Sequence, residues 1–240
     1  MSLLKTIVKK SFHAAGFDVS RIRRVPAPRP PSPLVHHGIE LLFDVGANAG
    51  QYAMLTRTEG YDGRIVSFEP LPDAFEALAR NAASDPLWTV HERCALGAVP
   101  GEAELNIAGN SYSSSLLPML HTHSDAAPDS VYVAKALTKV ITLDSVFDRY
   151  RTRGEKVFVK IDTQGFEAEV LKGASECLRQ VYALELELSL VPLYENQQLY
   201  DYFLALLSES GFFLWSLSPV FSDQRTGQSL QVDGVFVRKS

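Results

Sequence analysis

Short apolar runs alternate with amphipathic stretches from residue 39 to the end of the 240-residue chain. Apolar runs bounded by turn residues are typical of buried strands, and apolar side chains every three to four positions are typical of helices. Predicted strands cover residues 41–45, 64–69, 88–91, 156–162, 181–188, 212–217 and 232–238, with shorter extended pieces at 103–107 and 138–142. Predicted helices begin near residue 50 and cover residues 74–82, 167–179 and 199–210. This alternation predicts an α/β fold with a mostly parallel sheet covered by helices on both faces.

The first 33 residues differ in pattern from the remainder. Apolar side chains in residues 2–15 lie near helical spacing, and five prolines between residues 26 and 33 predict a stiff, extended linker. This segment has seven basic side chains and one acidic side chain, so with a total charge of −5 the remainder carries −11. We therefore predict a basic N-terminal helix with a proline-rich linker over residues 1–33, and one main domain over residues 34–240.

The acidic total charge argues against a nucleic-acid partner. Cys94 and Cys177 form no CxxC pair and lie in apolar stretches, which predicts buried thiols in a reducing compartment. The N-terminal lysines interrupt the apolar positions, unlike a secretory signal, and no apolar run is long enough to span a bilayer. A cytoplasmic location is expected. The basic residues 2–24 fit peripheral contact with an anionic membrane and fit a solvated helix end equally well.

The most informative segment is the glycine-containing turn D-V-G-A-N-A-G-Q from Asp44 to Gln51, between a strand and a helix. Gly46 and Gly50 allow a sharp turn and close approach by a ligand. Their spacing differs from GxGxxG, which argues against pyrophosphate binding and so against a nicotinamide-dependent oxidoreductase. Asp44 is predicted to pair with a cationic amine of the ligand, with a purely structural turn as the alternative.

Glu69 follows the second predicted strand, 23 residues after Gly46. A carboxylate at this point of a nucleotide-binding fold can accept hydrogen bonds from both ribose hydroxyls. The alternative is an ordinary surface acid. Together with the glycine turn, Glu69 indicates a nucleoside-containing ligand.

The chain resembles the FkbM family of class I methyltransferases over residues 40–240. The resemblance rests on several ordered segments rather than on one motif. These segments are residues 44–51, 68–70 with Asn81, 95–97, 114–116, 142–144, 160–167, 185–187 and 231–238. The resemblance implies a Rossmann-like fold with a seven-stranded, mostly parallel sheet, an antiparallel last strand and helices on both faces.

The resemblance also implies S-adenosylmethionine as the methyl donor and a small-molecule acceptor that is O-methylated. A sugar of a glycoside or glycolipid, or a polyketide, would be the acceptor. The donor-binding residues predicted in this way are Asp44, Gly46, Ala47, Asn48, Gly50, Gln51, Glu69, Pro70, Ala95, Ser114 and Asp162. A non-catalytic protein that binds S-adenosylmethionine is the alternative, and the sequence leaves the oligomeric state open.

Methyl transfer to a hydroxyl requires alignment of the acceptor oxygen and removal of its proton. Asp162 ends a predicted strand and is the favoured base, while Glu187 and Asp233 lie on the following strands. His121, in the polar loop of residues 109–130, is a further candidate base. Asp162 and Glu187 could be a base and its partner, could hold a divalent cation, or could cap backbone amides.

Overall fold

The computed structural model describes residues 31–239. It contains ten strands: β1 Leu41–Val45, β2 Arg64–Phe68, β3 Trp88–Val90, β4 Ala95–Leu96, β5 Gly101–Ala108, β6 Tyr132–Ile141, β7 Val157–Ile161, β8 Ala183–Ser189, β9 Phe212–Ser222 and β10 Ser229–Arg238. Its α-helices are α1 Pro33–His36, α2 Gln51–Thr58, α3 Pro72–Ala82, α4 His121–Ala126, α5 Leu143–Tyr150, α6 Glu167–Lys172 and α7 Tyr200–Glu209. Short 3₁₀ turns occur at Pro128–Ser130 and Cys177–Arg179.

The main sheet has seven strands in the order β3-β2-β1-β7-β8-β10-β9. Neighbouring strands from β3 to β8 are parallel, and β10 is antiparallel to both β8 and β9. Thus the last strand in the chain is the reversed one. The predicted seven-stranded, mostly parallel sheet with an antiparallel last strand is confirmed.

Helices cover both faces of this sheet, as predicted. Alternation along the strands divides the apolar side chains between two cores. In β1, Phe43 packs in the core that contains α5, α6 and α7, whereas Leu42 packs in the core that contains α2 and α3. Asp44 lies two residues after Leu42 and therefore points to the same face as Leu42. This orientation matters for the interpretation of the glycine turn.

A small second sheet was predicted only as two extended pieces. Strands β4, β6 and β5 form it in that order, with β5 and β6 antiparallel from Gly101↔Val140 to Ala108↔Tyr132. The polar loop between β5 and β6 extends from this sheet toward the carboxyl ends of the main strands. The second sheet therefore supports one wall of the site described below.

The helix predicted over residues 167–179 is shorter in the structure, where α6 ends at Lys172. Gly173 follows it, and a Cβ atom at this residue would lie 2.0 Å from the backbone oxygen of Gly97. The close backbone contact requires glycine and turns the chain out of the helix. A 3₁₀ turn at Cys177–Arg179 replaces the remainder of the predicted helix.

The basic N-terminal segment and most of the proline-rich stretch lie outside the described residues. The predicted boundary between residues 33 and 34 and the membrane contact through residues 2–24 therefore stay predictions. Within residues 31–239, no helix has both the length and the apolar character needed to cross a bilayer.

Candidate active site

A cavity of about 200 Å³ opens at the carboxyl ends of β1, β2, β7 and β8. Parallel α/β sheets bind ligands at this edge, near the point where the strand order reverses. The predicted site residues that line the cavity are Gly46, Asn48, Glu69, Pro70, Ala95, Ser114, Asp162 and Glu187. The predicted site residues that are not among its lining are Asp44, Ala47, Gly50, Gln51, His121 and Asp233.

The glycine turn passes directly over the end of β7. Gly46 has a φ of +79°, and a Cβ atom there would lie 1.8 Å from the backbone oxygen of Asp162. The Gly46 N–H donates to the backbone oxygen of Phe68 at 3.1 Å, which fixes the turn against β2 as well. Only glycine fits this position, because the left-handed φ and the backbone contact both exclude a side chain.

Glu69 is buried at the end of β2 beside this turn, with 3% of its surface exposed. Its Oε2 accepts the Asn48 N–H at 2.7 Å, and its Oε1 accepts the Leu71 N–H at 2.7 Å. Burial raises the pKa of Glu69 to about 7, although these two bonds oppose the rise. Each oxygen keeps a second lone pair. The residue thus fits a ligand that offers two neighbouring hydroxyls, as the ribose of S-adenosylmethionine does.

The structure places Asp44 outside the cavity lining, so its expected contact with a ligand amine gains no support. Asp44 has no exposed surface, and its Oδ2 accepts a hydrogen bond from Ser67 Oγ at 3.3 Å. Its Oδ1 lies 4.0 Å from Lys160 Nζ. Because side chains alternate along β1, the position that precedes the glycines points into the sheet face and not into the cavity.

Three other predicted donor-binding residues support the turn from outside the cavity. Ala47 packs in the core beneath α2. A Cβ atom at Gly50 would lie 2.6 Å from the ring of Trp88, so this glycine lets the start of α2 approach β3. Gln51 Nε2 donates to Asn48 Oδ1 at 3.3 Å and to the Tyr112 hydroxyl at 3.2 Å. These contacts shape the turn without reaching the cavity.

Two carboxylates, Asp162 and Glu187, face the cavity from β7 and β8. Lys160 Nζ donates to Asp162 Oδ2 at 3.0 Å, and the buried ammonium thereby balances one negative charge. Gln164 Nε2 donates both to Asp162 Oδ1 at 3.0 Å and to Glu187 Oε2 at 2.7 Å. Gln231 Nε2 donates to the same Glu187 oxygen at 2.7 Å. The structure therefore brings together the two acids that the sequence proposed as a pair.

Burial raises the pKa of Glu187 well above its ordinary value, and the nearby charges of Asp162, Glu167 and Asp233 add to the rise. Asp233 lies opposite Glu187 in the register of β10 and β8 but does not line the cavity. Burial raises the pKa of Asp233 to about 6. A carboxylate with a raised pKa at a cavity wall is suited to take up a proton from a bound substrate.

His121 is exposed at the start of α4 and lies outside the cavity lining, which argues against its predicted role as a base. The buried histidine of this loop is His123, two residues further on. Its ring packs against Tyr194 and Phe221 at centroid distances of 5.2 Å, and burial lowers the pKa of His123 to about 4. His123 is therefore a neutral packing residue.

The cation alternative for Asp162 and Glu187 gains no support. Within the described part of the chain, no group of three or more histidine, cysteine, aspartate or glutamate side chains is arranged to hold a metal ion. Glu167, which begins α6, accepts the Thr163 N–H at 2.9 Å and the Gly165 N–H at 3.1 Å. It therefore fixes the turn after β7 from below.

Buried glutamates with raised pKa values make the folded protein less stable as the pH rises, whereas acids with lowered pKa values make it more stable. Burial raises the pKa of Glu69 and Glu167 to about 7 and of Glu185 to about 8. Between about pH 7 and 9, where ordinary histidines are mostly neutral, the folded state therefore holds more protons than the unfolded state. We expect the melting temperature without donor to fall as pH rises through this range, as measured by calorimetry.

Glu185→Gln provides the control for this expectation. The Tyr52 hydroxyl donates to Glu185 Oε2 at 3.0 Å, and a glutamine oxygen can still accept that bond. The variant should show a shallower fall between pH 7 and 9. A melting temperature that rises across this range in the unmodified chain would contradict the expectation.

Comparisons with known proteins agree with the geometry. The FkbM methyltransferase domain matches residues 44–214. The chain is 29% identical over 142 residues to hexuronic acid methyltransferase AglP of Haloferax volcanii, a match that covers 59% of this chain and 53% of that protein. It is 28% identical over 159 residues to methyltransferase sdnD of Sordaria araneosa, covering 56% of this chain and 60% of that protein. The matched part is little more than half the length of these relatives.

A solved structure of a candidate O-methyltransferase from Klebsiella pneumoniae has the same fold. Its TM-score is 0.51 at 10% identity, and the superposition covers 100% of this chain and 91% of that chain. At this identity the likeness shows the fold alone, whereas the domain match covers well over half of the chain. The chain belongs to the FkbM family of S-adenosylmethionine-dependent methyltransferases.

Proposed function

We propose that this protein transfers a methyl group from S-adenosylmethionine to a hydroxyl of a sugar, in a glycoside or the headgroup of a glycolipid. The observation that carries the proposal is that Asp162 and Glu187 line the same cavity as Glu69 and the glycine turn. Glu69 and the turn thus suit a nucleoside, and the two carboxylates suit a hydroxyl that must lose a proton. The sugar class is supported by the hexuronic acid methyltransferase among the relatives.

The donor would lie along the glycine turn. Glu69 would accept hydrogen bonds from the ribose hydroxyls, while Gly46 leaves room for the ligand beside its backbone. Ala95 and Pro70 would border the adenine, and Ser114 would close the cavity from the loop between β5 and β6. Asp162 would meet the ammonium of the methionine part, the contact that the sequence had placed at Asp44.

Glu187 would be the base. Its Oε2 is held by Gln164 and Gln231, and its Oε1 accepts no hydrogen bond from the described residues. The acceptor hydroxyl would donate its proton to Oε1 as the oxygen forms a bond to the methyl carbon and the carbon–sulfur bond breaks. The sulfonium supplies an activated methyl group, so the protein needs mainly to align the acceptor and take up this proton.

The test is transfer of tritiated methyl groups from S-adenosylmethionine by the full chain to soluble methyl glycosides. The panel should contain neutral hexosides and hexuronosides, with products located by NMR. Methyl ethers on ring hydroxyls support the proposal. Transfer to nitrogen, or to no acceptor while S-adenosylhomocysteine still binds, would overturn it and would favour another acceptor atom or a binding protein.

Glu69→Gln should weaken the binding of S-adenosylhomocysteine by about 10- to 100-fold, because a hydrogen bond to a charged group contributes roughly 1.5–3 kcal/mol. The amide also turns one N–H donor toward the backbone N–H of Asn48 or Leu71, which both need an acceptor. Isothermal titration calorimetry measures the change. The matched control is Glu76→Gln, an exposed glutamate on α3, which should bind like the unmodified chain. Equal affinities of the two variants would refute the role of Glu69.

A further inference from the structure

Gln164 connects the two carboxylates of the cavity wall. Its Nε2 donates one hydrogen to Asp162 Oδ1 at 3.0 Å and the other to Glu187 Oε2 at 2.7 Å. Its Oε1 accepts the hydroxyl hydrogen of Tyr194 at 2.7 Å. A flipped amide would turn its oxygen toward two carboxylates, so these three partners fix the orientation of the group.

The backbone at Gln164 is held in an unfavourable conformation. Its φ is +54°, a value that residues with a Cβ atom rarely adopt. Gly165 follows at +94°, and a Cβ atom there would lie 2.9 Å from the ring of the buried Tyr194. Ser115 Oγ donates to the backbone oxygen of Gln164 at 2.7 Å. A glycine would relieve the strain at residue 164, so a glutamine at this position points to a requirement for its side chain.

We infer that Gln164 is a positioning residue of the transfer reaction, which holds Asp162 and Glu187 side by side and leaves the second oxygen of Glu187 for the acceptor. The expected effect on methyl transfer rests on the proposed function, whereas the placement of Gln164 between the two acids rests on the observed contacts. An uncharged amide holds two acids without neutralising either, whereas a lysine would cancel a charge and a glutamate would add a third. Tyr194 acts behind Gln164 by fixing the amide.

The test compares Gln164→Glu and Gln164→Met with Gln197→Glu. Gln197 lies near the same tyrosine, but its side-chain oxygen accepts the backbone N–H groups of Leu193 and Tyr194 and it does not touch the acids. We expect both Gln164 variants to lower kcat for the best methyl glycoside of the panel by about 100-fold, the scale of a misplaced reacting group. The dissociation constant of S-adenosylhomocysteine should rise by less than about tenfold, because Lys160 still holds Asp162 in the variants. Gln197→Glu should retain kcat.

A second measurement needs no acceptor. In protein with ¹³C-labelled glutamate carboxyl groups, Gln164→Glu should move the titration midpoint of Glu187 upward, because a third acid adjoins it. Gln197→Glu should leave that midpoint in place. Unchanged kcat in both Gln164 variants, or equal losses of kcat, donor affinity and melting temperature, would overturn the inference. If no glycoside is methylated, the proposed function fails, and a shifted midpoint still supports the contact of Gln164 with the two acids. An unshifted midpoint overturns that contact.

Discussion

Glu187→Gln is expected to lower kcat by about 10²- to 10⁴-fold, the usual contribution of a positioned general base. The glutamine keeps the size of the side chain, and its oxygen can still accept hydrogen bonds from Gln164 and Gln231. What it loses is the ability to take up the acceptor proton. Binding of S-adenosylhomocysteine should therefore stay near that of the unmodified chain. Single-turnover transfer and calorimetry separate these two quantities.

The dependence of kcat/KM on pH tests the role of Glu187 independently. Because burial raises the pKa of Glu187 well above its ordinary value, kcat/KM should rise with pH beyond the range in which exposed glutamates titrate. Glu195→Gln, an exposed position in the loop after β8, is the matched control and should retain both the rate and the profile. Full activity of Glu187→Gln would leave Asp162 as the stronger candidate for the base.

Gly46→Ala is expected to destabilise the protein by more than about 3 kcal/mol, which exceeds the usual loss for a single substitution. The new Cβ atom would overlap the backbone oxygen of Asp162, so the ends of β1 and β7 would have to separate. That separation moves the glycine turn away from the carboxylate at the end of β7. Donor binding and stability should therefore be lost together. Urea unfolding and calorimetry with S-adenosylhomocysteine measure the two losses.

Gly60→Ala is the control for the cost of placing alanine in a left-handed backbone conformation. Gly60 has a φ of +92°, and nothing lies within 4 Å of a Cβ atom there. Its substitution should cost only the left-handed conformation, about 1–2 kcal/mol. If Gly46→Ala and Gly60→Ala are equally destabilised, the close contact with Asp162 contributes nothing and the explanation fails.

The sequence predicted the sheet well because its strands are nearly continuous apolar runs. Burial on both faces requires such runs in the central strands of a parallel sheet. Helix ends were harder to predict. The helix after β7 ends at Lys172 because Gly173 contacts the backbone of Gly97, a residue that is distant in sequence. A contact of this kind leaves no periodic pattern in the chain.

Site residues at strand ends were found from position alone, and their orientation was not always correct. Glu69, Asp162 and Glu187 line the cavity as predicted, whereas Asp44 points to the face that carries Leu42. The bounds of this strand were predicted correctly, so the error concerns the direction of one side chain: Asp44 still lies within β1, where side chains point to one face of the sheet or the other.

Gln164, which we infer to position the two acids, was not singled out from the sequence, because glutamines are common and carry no charge. The available signal was its place between a strand-end acid and Gly165, where a left-handed turn is favoured. His121 was chosen as a candidate base and His123 was not. Both lie in one polar loop, and only the packing of the folded chain distinguishes them. The structure places His123 against Tyr194 and leaves His121 exposed.

The first and last strands of the small sheet in chain order, β4 and β6, are neighbours. Ala95 of β4 pairs with Val140 of β6, so the segment of residues 97–139 begins and ends on adjacent strands, about 5 Å apart. Insertions or deletions inside such an excursion leave both attachment points unchanged, and the entropy cost of a longer loop grows only slowly with length. A change of length in this segment can therefore reshape the wall contributed by residues 111–116 without moving the glycine turn or Glu69.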